Sequence, residues 1–158
     1  MQRRALTVSE LTDACKPPDE ETRLLWLRRV RDWSNIGIVP ATRQHAGTGR
    51  HRLFSPDAVY VTAVLLRLVD SGYPIRNLST VAKLINAPRR TAAEQEFHRF
   101  WRDAITLAKR QDAYVAFTPE RGDQGTTSYR YRWGKMTTND DDAWALMNLT
   151  RVFRKLAK

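Results

Sequence analysis

Proline and glycine cut the first ninety residues into short pieces, at Pro17-Pro18, Gly37 to Pro40, Gly47 and Gly49, Pro56, Gly72 with Pro74, and Pro88. Proline cannot donate to a helical ladder, and glycine is the residue that most readily closes a helix, so each of these points is a stop or a start. Helix signals fill the spaces between them. Thr7 and Glu10 have the spacing of a capping box, which predicts a first helix from Thr7 to about Cys15. Asp19 caps a second, with Glu20 and Glu21 at its positive end, running to about Asn35 and closed by Gly37. Trp26, Val30 and Trp33 recur at helical spacing and predict its buried stripe, leaving Arg28, Arg29 and Arg31 to point elsewhere. Two short runs, Ile38–Arg43 and Arg50–Phe54, flank Ala46-Gly47-Thr48-Gly49 and predict a hairpin. Ser55-Pro56 then starts a helix over the apolar run Val59–Val69, and Pro74 starts a shorter one carrying Ile75, Leu78, Val81, Ala82 and Ile85 on one face.

Ala87-Pro88-Arg89-Arg90 is the expected boundary, giving domains 1–88 and 89–158. Beyond it, Phe97, Trp101, Ala104 and Ala108 recur at four, three and four residues, the seam of a helix that packs on another helix. A strand pair, Tyr114–Thr118 and Ser128–Trp133, should turn through Gly122–Gly125. Asp140, Asp141 and Asp142 are expected to open a final helix with Trp144, Met147 and Phe153 inside.

Charge narrows the class of partner. The chain has 158 residues, 27 of them Lys or Arg against 17 Asp or Glu, for a net +10. Up to Arg90 there are 15 basic and 8 acidic residues, and between Arg23 and Arg52 seven arginines face only Asp32. A field of that sign attracts polyanions, and the planar fork of Arg suits phosphate oxygens and guanine edges. The single Cys15 rules out an internal disulfide and any site built on a cysteine pair, and it reads as a small core residue. The best apolar run, Val59–Val69, is too short to span a membrane, and Met1-Gln2-Arg3-Arg4 is followed too soon by polar residues for a signal peptide, so the expected location is cytoplasmic. His45, His51 and His98 lack the spacing of a metal site, and no phosphate-cradling loop or nucleophile elbow occurs. The expectation is therefore a protein without cofactor, metal or catalytic residues.

The order of these signals is itself informative. A helix opened by a capping box is followed by a helix ending in Arg31-Asp32-Trp33 and Ile36-Gly37-Ile38-Val39-Pro40. Then come Gly49-Arg50-His51-Arg52-Leu53-Phe54-Ser55, a long helix, and Gly72-Tyr73-Pro74-Ile75. From about Leu6 to Ile85 this resembles the MerR-type winged-helix DNA-binding domain. The resemblance implies a helix-turn-helix, a hairpin wing and a homodimer. The chain departs from the family pattern in the added length of Lys16–Trp26, with Leu24 and Leu25 near the start of the second helix, and in the region after Arg90.

The expected fold is mainly α: a winged helix-turn-helix with a small α+β module of helix, β-hairpin and helix. The expected function is a homodimeric, sequence-specific regulator of transcription that binds an inverted repeat in double-stranded DNA. Arg28, Arg29, Arg31, Arg43, Arg50, His51 and Arg52 are the expected DNA contacts, with the helix arginines reading bases and the hairpin residues gripping phosphate. Phe97, Trp101, Ala104 and Ala108 are the expected dimer seam, and RNA polymerase or another protein is a possible further partner. Two rival functions stand beside this one: an excisionase-like factor that bends DNA, and a protein-interaction adaptor whose basic half serves only solubility. Each residue set also has a plainer reading. The helix arginines could form a solvated face paired with Asp32 and Glu21, the hairpin could be a charged edge strand, and the seam could be closed by the aromatic face of Tyr129, Tyr131 and Trp133.

Overall fold

A computed structural model describes residues 4–42, 52–86, 90–106, 114–121, 127–134 and 145–156. The chain is mainly helical with a small antiparallel sheet. It divides into two compact units, Met1–Leu66 and Arg67–Lys158, and the division falls inside one helix. The boundary expected at residue 88 lies within the second unit, and residues 87–89 are outside the described set.

In the first unit, α1 (Val8–Ala14) opens on the capping box. The Thr7 hydroxyl accepts from the Glu10 amide at 3.3 Å, and the Glu10 carboxylate accepts from the Thr7 amide at 2.8 Å. A left-handed Lys16 (φ 57°) leads into the two prolines. Helix α2 (Glu20–Asn35) starts where the Asp19 carboxylate accepts from the Thr22 amide at 2.7 Å. It ends in a Schellman turn: Gly37 at φ 76° lets the Ile38 amide reach back to the Trp33 carbonyl at 2.9 Å. Trp26, Val30 and Trp33 are buried together with Leu11, Cys15, Val39 and Phe54, so the expected stripe forms the core of this unit. Helix α3 (Ala58–Asp70) begins in this unit, and its apolar run is buried at Ala63 to Leu66.

In the second unit, α3 ends in the same kind of turn, with Gly72 at φ 91° and the Tyr73 amide on the Leu68 carbonyl. A single 3-10 turn, Ile75–Asn77, leads into α4 (Leu78–Ile85). Helix α5 (Ala92–Thr106) opens on a second capping box, Thr91 with Glu94, which the sequence carries in the same Thr-x-x-Glu form as the first. The sheet has the order β2-β1-β3, where β1 is Tyr114–Arg121, β2 Thr127–Gly134 and β3 Ala145–Asn148. Val115 on the central strand opposes Trp133 on one side and Met147 on the other.

One expectation is corrected here. Met147 lies in a strand, not in the final helix, and that helix, α6, is Leu149–Leu156. The cap is Asn148, whose side-chain oxygen accepts from the Arg151 amide at 2.8 Å. A strand is preferred because pairing with β1 satisfies the backbone of 145–148 at a sheet edge, a long-range partner that charge-at-helix-start reasoning cannot see. Asp140, Asp141, Asp142, Trp144 and the turn Gly122–Gly125 lie outside the described residues.

Candidate nucleic-acid interface

The first two helices are fastened by an arginine that sequence reasoning had counted only as charge. Arg23, near the start of α2, donates from Nε to the Asp13 carboxylate at 2.6 Å and from Nη2 to the Ser9 hydroxyl at 3.0 Å, both on α1. It also reaches Glu20 at 3.3 Å. The hydrogen bond to Asp13 holds the guanidinium still further in its charged form. Ser9 and Asp13 are one helical turn apart, which gives one fork two acceptors along α1 and fixes the register of the pair. The Ser9–Asp13 spacing was visible in the sequence, but its partner ten residues away was not.

With α2 held this way, its outward face follows from the helical period. Arg28 stands two residues from Trp26 and two from Val30, about 200° from each at 100° per residue, and so opposes the core. Arg28 and Arg31 are exposed, and among the described residues neither has an ion-pair partner. Neither of these two forms the pairing with Asp32 or Glu21 that a plain solvated face would use. Arg29 is half-buried on the flank. Leu24 and Leu25 share the outward face at 56% and 44% exposure, one turn before Arg28.

The segment after α2 returns to the helix pair. Thr42 and Leu53 meet through the Thr42 amide on the Leu53 carbonyl at 2.8 Å, and Leu6 bridges Phe54 through two backbone bonds of 2.9 and 2.8 Å. This places Arg52 at the base of the connection. Its Nη1 donates to the buried Ser34 hydroxyl at 2.8 Å and to the Asn35 side-chain oxygen at 2.6 Å, at the C-terminal end of α2. Arg52, half-buried two residues before the buried Phe54, thus ties the connection to α2. Arg43, Arg50 and His51 lie outside the described residues.

No family model matches this chain, and no curated protein matches it.

The remaining expected site residues sit in the second unit. Phe97, Trp101 and Ala104 are buried within the single chain; Ala108 lies outside the described residues. Trp101 stacks on Phe97 at 6.1 Å and meets Phe153 of α6 edge-on at 5.1 Å. The seam is closed by α6, so covering it requires no second copy. In the same unit Arg67, Ser71, Asn148, Arg151 and Lys155 border an open cleft of about 290 Å³ over Met147, with no acidic side chain in its lining among the described residues. Neither the cleft nor its three cations were grouped by sequence position. Cys15 is buried, with its thiol near the Val59 carbonyl at 3.8 Å. Among the described residues no helix is long and apolar enough to cross a membrane, and no cluster of three His, Cys, Asp or Glu residues could hold a metal ion.

Proposed function

We propose that the protein is a sequence-specific, double-stranded DNA-binding regulator of transcription of the winged helix-turn-helix kind, with α2 as the reading helix and the 42–53 connection as the wing. The observation that carries this reading is the outward face of α2. Arg28 and Arg31 are exposed and without an ion partner among the described residues, on a helix fastened to α1 by Arg23. A helix of this size fits the major groove, where an Arg fork reaches guanine O6 and N7. The net charge of +10 supplies the attraction to the duplex.

The regulator acts on an inverted repeat as a homodimer. One small helix pair offers few base contacts, and two copies on a symmetric site raise affinity without new residue types. Phe97, Trp101 and Ala104 serve the fold of the second unit, so the pairing surface lies elsewhere.

In vitro selection of bound duplexes from random DNA with the full chain tests the proposal. Enrichment of one site with two inverted halves is the expected result. Retention of all sequences alike, or of none, would overturn it. Sedimentation of the chain with and without the selected duplex then reads the copy number directly.

A further inference from the structure

The second unit gathers cations where local physics disfavours them. Arg67 of α3 and Arg151 and Lys155 of α6 border the open cleft of about 290 Å³ over Met147, with no acidic side chain in its lining among the described residues. Arg151 and Lys155 are exposed, stand one turn apart as like charges, and form no ion pair among the described residues. Lys155 lies in the last turn of α6, where the helix dipole favours a cation. Arg151 lies in the first turn, where the dipole opposes it. Three positive charges thus meet at one hollow against their mutual repulsion, and one of them against the helix that bears it.

Asn148 is fixed beside them. Its Oδ1 accepts from the Arg151 amide at 2.8 Å and its Nδ2 donates to the Tyr114 hydroxyl at 3.0 Å, which leaves that nitrogen one further N–H at the cleft border. The Ser71 hydroxyl gives its proton to the Leu68 carbonyl at 2.8 Å, so recognition of an anion falls to the cations and Asn148. Met147 and Val152 add apolar lining. A duplex is a poor occupant, because its phosphates run in a row, one per about 3.4 Å of each strand, whereas these cations border a single hollow. A bare inorganic ion leaves the apolar lining uncovered. We propose that the cleft binds a small phosphate monoester, its phosphate among Arg67, Arg151 and Lys155 and its apolar body over Met147 and Val152. An Arg fork grips two phosphate oxygens at once, the ester carries a charge of about −1.5 to −2 against the three cations, and a thioether meets an aromatic ring favourably. The volume is at the low end of the range for ligand pockets, about 300–1,000 Å³, so the body is a single ring or a short chain. The site belongs to the second unit alone and does not depend on what α2 reads.

Isothermal titration of the full chain with phenyl phosphate at low ionic strength tests it. One site per chain with a Kd at or below about 1 mM is the expected result. Inorganic phosphate should bind about tenfold more weakly or worse, because the ring is no longer buried, and uncharged phenol should not bind. Arg151→Gln should weaken phenyl phosphate about tenfold and Lys155→Gln about threefold. Arg102→Gln makes the same charge change at an exposed position of α5 outside the cleft and should cost less than about twofold. Without ligand, Arg151→Gln should melt at or above the wild-type temperature, since it relieves repulsion and keeps the backbone amide that Asn148 accepts from.

Absence of phenyl phosphate binding would overturn the inference, and so would inorganic phosphate binding as tightly, which marks an adventitious ion only. Equal weakening by Arg151→Gln and Arg102→Gln would assign the binding to the general positive field. A lower melting temperature for Arg151→Gln would show Arg151 engaged in the fold and overturn it as well. A second arm titrates a random-sequence duplex and vesicles of phosphatidylcholine with phosphatidic acid. A salt slope for the duplex that falls by about 0.9 in Arg151→Gln, or vesicle binding that this variant abolishes, would give the cleft to that source of phosphate and refute the small ligand. Phenyl phosphate binding is read without DNA, so its failure is distinct from a failure of duplex selection.

Discussion

Replacing Arg52 by Ala isolates the tie between the 42–53 connection and α2. The substitution removes two charge-assisted hydrogen bonds, to Ser34 at 2.8 Å and Asn35 at 2.6 Å, and leaves the Ser34 hydroxyl, 3% exposed at the residue level, without this donor. A hydrogen bond to a charged group contributes about 1.5–3 kcal/mol, and the Asn35 side is exposed and adds little. The expected loss is therefore about 2 kcal/mol, or about 4–8 °C in Tm for a chain of this length. Chemical denaturation of the wild type, Arg52→Ala, Ser34→Ala and the double variant completes the cycle. Ser34→Ala removes both the bond and the stranded hydroxyl, so the double variant should be more stable than additivity predicts, by about 1 kcal/mol. Additivity within about 0.3–0.5 kcal/mol would refute the tie. Because the guanidinium is engaged internally, Arg52→Ala should also leave the salt dependence of DNA binding unchanged. A fall in slope of about 0.9 would show instead that Arg52 contacts a phosphate.

Three further outcomes are expected. Arg28→Ala should lose about 1–3 kcal/mol of discrimination at one base pair of the selected site with little change in stability, whereas equal weakening on every sequence would reassign Arg28 to phosphate. Phe153→Ala removes the ring that closes over Trp101 and should destabilise the second unit by about 3–5 kcal/mol, read by chemical denaturation; a loss below about 1 kcal/mol would mean that the seam is covered by something else. The Glu10 carboxylate is held below its ordinary pKa chiefly by the Thr7 amide, and Glu94 likewise by the Thr91 amide. A carboxylate depressed in the folded state stabilises above its unfolded pKa, and that contribution disappears as pH falls through the folded value. The stability gap between the wild type and Glu10→Gln should thus be constant near neutrality and close in acid, below about pH 4.5, in pH-dependent thermal melts; a gap that widens in acid would contradict the sign.

The sequence by itself determined the features that need only near neighbours. Thr7 with Glu10, Asp19 before Glu20, Gly37 after Asn35 and the Trp26–Val30–Trp33 spacing each satisfy backbone groups or bury a face within a turn or two, and all four are realised as read. The same local logic holds for the capping box of Thr91 and Glu94. Tertiary structure alone decided what depends on a partner distant in the chain. Arg23 became a clasp because α1 returned Ser9 and Asp13 to it, and Arg52 became a tie because Ser34 and Asn35 end α2 beside it. Residues 145–148 became a strand because β1 offered an open edge, and the Phe97–Trp101 seam became core because Phe153 arrived on α6. A charged or apolar side chain shows its sign and size in the sequence. Whether it is spent inside the molecule or left for a ligand is set by which elements pack against it, and that geometry separates Arg23 and Arg52 from Arg28 and Arg31.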